Sequence, residues 1–123
     1  MAKGFAGVME TFDNTRPLVA AMAVGCAKAS LERIKEIFKD QLDPHYSTPA
    51  LNCSNIAATI YRLEAEWEAA RLLTLKACWM ADNKMPNSKE ASISKAKAGR
   101  IGSEITLKCV ELAASVGLSL IQL

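Results

Sequence analysis

Residues 49–82 read PALNCSNIAATIYRLEAEWEAARLLTLKACWMAD, and the spacing of their apolar side chains decides the fold. Ile56, Ile60, Leu63, Trp67, Ala70, Thr74 and Ala77 recur at alternating steps of four and three. That period keeps them on one stripe of an α-helix and marks the seam of a helical bundle. Leu72, Leu75 and Trp79 form a second apolar stripe, so this helix is expected to be covered on more than one side. Thr48 followed by Pro49 predicts a cap with proline at the first helical position. The turn formers Asn83-Lys84-Met85-Pro86 predict its end.

Outward from this helix the same period continues, and no stretch shows the sustained alternation of a strand. The first helix is expected over about Gly4 to Phe38, with Phe5, Met9 and Phe12 on one stripe before Pro17. After the proline, Val19, Met22, Cys26, Ile34 and Phe38 are expected to continue an apolar face. Residues 40–49 are rich in turn formers and separate it from the second helix. Asn87 predicts the cap of a third helix, with Glu90 three residues on as its capping-box partner. Ala91, Ala98 and Gly102 give that helix a small-residue face for close approach, and Ile101, Ile105, Leu112 and Val116 a larger one. Gly117 is a natural terminator. The expectation is an all-α, up-down bundle of three long helices forming a single domain over residues 1–123. So much apolar surface, with an apolar tail at Leu120-Ile121-Gln122-Leu123, suggests a four-helix bundle lacking its last helix or taking one from a partner. A self-sufficient three-helix bundle is the alternative.

Composition narrows the function. Half of the 123 residues are hydrophobic and the mean hydropathy is +0.09, which is oily for a small domain. Fifteen basic and thirteen acidic residues are interspersed, for a net charge of +2, so no basic stripe follows a phosphate backbone and nucleic acid is not an expected partner. The apolar run from Leu18 to Ala29, interrupted by Lys28, falls short of the ~20 residues of a membrane span. Glu10 and Asp13 interrupt any signal-peptide core, so a cytoplasmic location is expected. Cys26, Cys53, Cys78 and Cys109 lack close-set pairing and His45 is the only histidine, which predicts buried, inert thiols and no metal site.

One polar knot stands out. Phe12-Asp13-Asn14-Thr15-Arg16-Pro17 places an acid, an amide, a hydroxyl and a guanidinium beside a proline and an alanine-rich apolar run. Arg16 offers a planar five-donor fork, while Asp13 and Thr15 supply acceptors. Such a cluster either faces a ligand, or pairs within itself, Arg16 with Asp13, and pins the chain at Pro17.

Together with Gly4-Phe5 and Val19 to Gly25, this knot resembles the start of the C-terminal helical domain of acyl-CoA dehydrogenases. The likeness resumes at Ala70-Arg71-Leu72-Leu73-Thr74 through Trp79, and at Glu90-Ala91-Ser92-Ile93-Ser94-Lys95-Ala96-Lys97-Ala98, so it covers nearly the whole chain. The resemblance implies one domain of a three-domain flavoprotein that desaturates acyl-CoA thioesters, a carboxylate taking the α-proton while hydride passes to FAD. It implies contacts from Asp13, Asn14, Thr15 and Arg16 to the CoA ester, and packing into homo- or hetero-oligomers through the bundle.

The chain also departs from that pattern. The family's glutamate base lies beyond the third helix, or in a minority at the position of Thr15, where a hydroxyl cannot replace it, and Glu10 lies on another face. No catalytic residue is therefore expected here. The Arg-x-x-Phe-Gly expected after the first helix is replaced by the acidic turn at 40–49. The glutamine expected early in the second helix is replaced by Ser54. A Gln-x-x-Gly-Gly pattern near the end of the third becomes Glu111-Leu112-Ala113-Ala114-Ser115. Close backbone approach to a cofactor favours glycine. The expectation is FAD in the intact family protein and none held by this chain alone. A non-catalytic interaction module, or the degenerate subunit of a heteromeric dehydrogenase, is the alternative.

Overall fold

The structure, a computed structural model, describes residues 2–43, 45, 47, 49 and 52–117. Three long helices, α1 (Ala2–Ile37), α2 (Asn55–Asp82) and α3 (Ser88–Ser115), are joined by a 3₁₀ turn at Lys39–Gln41 with its following connection and by a tight turn at 83–87. No strand occurs among the described residues. Cross-helix contacts give the directions. Lys35 meets Glu64 and Trp67 meets Val24, so α1 and α2 run antiparallel. Arg16 meets Ser92 and Gly102 meets Ala23, so α1 and α3 run parallel. The up-down-up bundle is the one expected from the sequence.

The α2 seam packs as its period predicts. Ile60, Leu63, Ala70, Thr74 and Ala77 are buried, and Ile56 and Trp67 partly so. Of these, Ile56, Ile60, Leu63 and Trp67 pack with Ala27, Leu31 and Ile34 of α1, Phe38 just past its end, and Ile101, Ile105, Cys109 and Leu112 of α3. Where the core narrows, Ala20, Ala70 and Ala98 pack together, and α3 approaches α1 at Gly102, where a side chain would meet Ala23 at 3.5 Å. The small-residue face of α3 is thus used for close approach.

Several expectations are corrected. Helix α2 begins at Asn55, not Pro49, because the Ser54 hydroxyl accepts from the Ala57 amide at 3.1 Å and supplies the cap. Thr48 lies outside the described residues. Asn87 stands at the N-cap of α3, but its side chain is turned into the core and donates to the Ala77 carbonyl at 2.9 Å. It therefore ties α3 to α2 and no capping box forms. On α1 the buried line is Pro17, Ala20, Ala27, Leu31 and Ile34, continued by Phe38 just past its end, while Phe5, Phe12, Val19, Met22 and Cys26 are exposed. The small side chains at 20 and 27 allow closer helix approach than Val19 or Met22 would. Leu72, Leu75 and Trp79 are uncovered, Trp79 by 59%, and Val116 is exposed on the last turn of α3. Gly117 does terminate α3, at φ +66°. The expected apolar tail at 120–123 lies outside the described residues, and nothing described tests a fourth helix. Only Cys109 is buried, with burial pushing its thiol up from the usual range. Cys26 is exposed and the other two are half-buried.

Candidate functional site

Four consecutive helical residues fan out by 100° each, so Asp13, Asn14, Thr15 and Arg16 cannot all face one ligand. The structure separates them. Asp13 and Asn14 turn toward a groove of about 740 Å³ between the first turns of α1 and the α2–α3 turn. Arg16 points to α3, where Nη1 donates to Asp13 Oδ1 at 3.2 Å and to Ser92 Oγ at 3.1 Å. Ser92 in turn donates to the Ser88 carbonyl, and the guanidinium lies 5.7 Å from the Phe12 ring centroid. Thr15 is exposed and donates back to the Phe12 carbonyl at 3.3 Å. The pairing of Arg16 with Asp13 is thus realised. It stiffens the carboxylate beside the groove, and Pro17 removes the amide that would close on the Asp13 carbonyl.

The other lining residues were not singled out from the sequence as site residues. Phe5, Ala6, Met9 and Glu10 come from α1, and Ala81, Lys84, Met85, Pro86, Asn87 and Ser88 from α2, the turn and the start of α3. A signal for the α1 half exists: Ala6, Met9 or Glu10, and Asp13 follow helical steps of three and four. The α2–α3 half depends on the shape of the turn. Lys84 adopts a left-handed conformation at φ 58°, with its amide donating to the Ala81 carbonyl at 3.1 Å and that of Met85 to Met80 at 2.9 Å. This Schellman closure carries the chain across the mouth of the groove. The volume is in the range of ligand sites. Apolar walls from Phe5, Met9, Met85 and Pro86 carry an amide at Asn14, acids at Glu10 and Asp13 and a cation at Lys84. That set suits a thin ligand with amide groups and an apolar end.

At the opposite end of the bundle, the α1–α2 connection meets the end of α3, Leu42 packing against the core cluster that contains Leu112. Asp43 gathers the donors there. Its Oδ1 accepts from the His45 amide at 2.9 Å, and its Oδ2 from the Ser47 amide and hydroxyl, both at 2.7 Å. Tyr61 hydroxyl accepts from the Asp43 amide at 2.7 Å. Ser54 donates to Gln41 Oε1 at 3.1 Å besides capping α2. On α3, Glu111 accepts from Lys108 at 2.9 Å, Ser115 donates to the Leu112 carbonyl at 2.6 Å, and the Val116 and Gly117 amides close on Ala113 and Ala114.

The structure is thus an all-α up-down-up bundle with a groove at one end. The chain belongs to the acyl-CoA dehydrogenase family: residues 2–121 match the description "Acyl-CoA dehydrogenase, C-terminal domain". It is 32% identical over 115 residues to the caffeyl-CoA reductase-Etf complex subunit CarC of Acetobacterium woodii, covering 94% of this chain and 30% of that one. It is 29% identical over 114 residues to the mitochondrial short-chain specific acyl-CoA dehydrogenase of Rattus norvegicus (93% and 27%). Against the short-chain specific acyl-CoA dehydrogenase of Megasphaera elsdenii it is 30% identical over 117 residues (95% and 30%). The chain thus spans less than a third of the length of these relatives.

Members of this family typically use FAD, whose pyrophosphate needs cations or converging N–H donors. The donor set at the 40–54 end does not fit it. Between Lys39 and Ser54 there is no arginine or glycine, Asp40 and Asp43 bring negative charge there, and Glu111 is paired with Lys108. The His45 and Ser47 amides are already bonded to Asp43, and the end of α3 presents the negative pole of its dipole. Among the described residues no cluster could hold a metal ion, and no helix is long and apolar enough to cross a membrane.

Proposed function

We propose that this chain is the helical-bundle domain of a three-domain, cytoplasmic acyl-CoA dehydrogenase-like protein, and that its groove receives the thioester end of an acyl-CoA. Asp13 and Asn14, standing together over the groove with Lys84 across from them, are the observation that carries this reading. The pantetheine arm has amides that Asn14 matches as donor and acceptor, and an acyl end that the Phe5 and Met9 wall accommodates. Arg16 acts behind Asp13, holding its carboxylate, and Thr15 stays on the outer face. Several relatives are short-chain specific, which favours a short acyl group. The α,β-desaturation belongs to the assembled protein. The bundle supplies neither a base at Thr15 nor a cradle for the flavin, and is inactive alone. On α1 Val8, Leu18 and Met22 are exposed, and through such apolar surfaces the bundle packs into homo- or hetero-oligomers.

The test is a titration of the ¹⁵N-labelled chain with butyryl-pantetheine, a probe without nucleotide. Saturable amide shifts at Asp13, Asn14 and Lys84 are expected, with affinity falling about tenfold in Asn14→Ala as paired amide hydrogen bonds are lost. An unshifted groove would refute the reading. A degenerate subunit of a heteromeric dehydrogenase is the second reading. It is favoured by the acidic turn at Asp40 and Asp43 and by a relative that is itself a subunit of a complex.

A further inference from the structure

We infer that the α1–α2 connection carries its own anion, the Asp43 carboxylate, in the place where a flavin dinucleotide would need donors, so that this bundle does not clamp a pyrophosphate. The inference rests on membership of a flavin-using family and is independent of the thioester reading, which concerns the opposite end of the bundle.

Three amide and hydroxyl donors converge on one carboxylate: His45 N–H on Oδ1, and Ser47 N–H and O–H on Oδ2, at 2.7–2.9 Å. Converging backbone N–H groups are how loops hold phosphate oxygens, and here the chain supplies the oxygens itself. A phosphate entering this cradle would have to expel a covalently tethered carboxylate whose effective concentration no free ligand matches. It would also meet that carboxylate's negative charge. The neighbouring elements are closed in the same way. Ser54, at the start of α2, is spent on the Ala57 amide and on Gln41, and Ser115 is turned back onto its own helix. Ala114 and Ser115 each place a Cβ on a backbone that a cofactor could approach closely only over glycine. A flavin pyrophosphate is therefore not clamped by this connection.

Two measurements on the ¹⁵N-labelled full chain test this. In the first, inorganic pyrophosphate and then FAD are added to millimolar concentration at constant ionic strength. The amides of Asp43, His45, Ser47, Ser115 and Gly117 are expected not to shift. Saturable shifts there would overturn the inference, whatever butyryl-pantetheine does at the groove. In the second, hydrogen exchange of the His45 and Ser47 amides is compared with that in Asp43→Ala and Asp43→Asn. Exchange is expected to rise about tenfold or more in the alanine variant, which loses charge-assisted hydrogen bonds, and less in the asparagine variant, which keeps an acceptor oxygen. The Ile101 and Ile105 amides, unchanged, would show that the bundle is intact. Equal exchange at His45 and Ser47 in wild type and Asp43→Ala would overturn the inference, because the carboxylate would not be holding the donors.

Discussion

Gly102 of α3 sits against Ala23 of α1, and its size can be tested one carbon at a time. A Cβ there would stand 3.5 Å from both the Cβ and the carbonyl oxygen of Ala23, an ordinary van der Waals contact. Alanine therefore fits, and it removes the entropic penalty of a mid-helix glycine, so Gly102→Ala should stabilise the chain by about 0.5–1 kcal/mol. Leucine does not fit without pushing the helices apart, and Gly102→Leu should destabilise it by roughly 1–3 kcal/mol. Urea midpoints of the two variants against wild type would show opposite signs. A loss in the alanine variant would mean the helices are closer than described. Sequence reading placed Gly102 correctly on a small-residue face, because Ala91, Ala98 and Gly102 share one helical stripe. It could not do the same for Asp13 to Arg16. Contiguous residues of a helix point in different directions, and only the fold shows that two reach the groove while Arg16 bridges Asp13 to Ser92.

At the scale of elements, α2 is clamped on both sides by ion pairs. Glu64 takes Lys35 of α1 at 2.7 Å, Glu66 takes Lys97 of α3, and Arg62 reaches Glu104 of α3 at 3.3 Å. The Lys97 hydrogen bond, followed by its charge, holds the Glu66 carboxyl below its usual 4.5. A carboxyl depressed in the folded state stabilises it above the unfolded-state pKa, and that contribution is lost as pH falls through the lower, folded value. Glu66→Gln should therefore unfold at lower urea than wild type at pH 7, and the gap should narrow as the medium is acidified below pH 4.5. A gap that persists unchanged in acid would mean that Glu66 acts through packing and not through charge. Element boundaries were less legible than elements. Thr48-Pro49 carries as plausible a start signal as Ser54, and the choice falls to the hydroxyl that reaches the Ala57 amide. Asn87 carries the residue type of a cap, yet the buried Ala77 carbonyl takes its amide instead. Local propensity cannot anticipate a partner ten residues away.

Across the whole molecule, the bundle and its direction were legible because the α2 seam has a fixed period and one face. The buried side of α1 was not. Its charges between residues 4 and 29 are Glu10, Asp13, Arg16 and Lys28, and Asp13 and Arg16 lie toward the groove and α3, so no polar face marks the solvent side. The result is a narrow core flanked by large exposed apolar side chains, with Met22 73% and Leu72 55% exposed. Such a distribution predicts two classes of substitution. Ile60→Ala, Leu63→Ala and Ile105→Ala each empty a fully buried site at the meeting of all three helices and should destabilise the chain by about 2–5 kcal/mol. Met22→Gln, Leu72→Gln and Trp79→Gln alter side chains that lie mostly outside the core and should stay within about 0.5 kcal/mol of wild type. Urea denaturation at low protein concentration separates the two, since dilution removes any contribution from association. Core-sized losses in the glutamine variants under dilution would place those side chains inside the folded chain and contradict the arrangement of α1 and α2 described above.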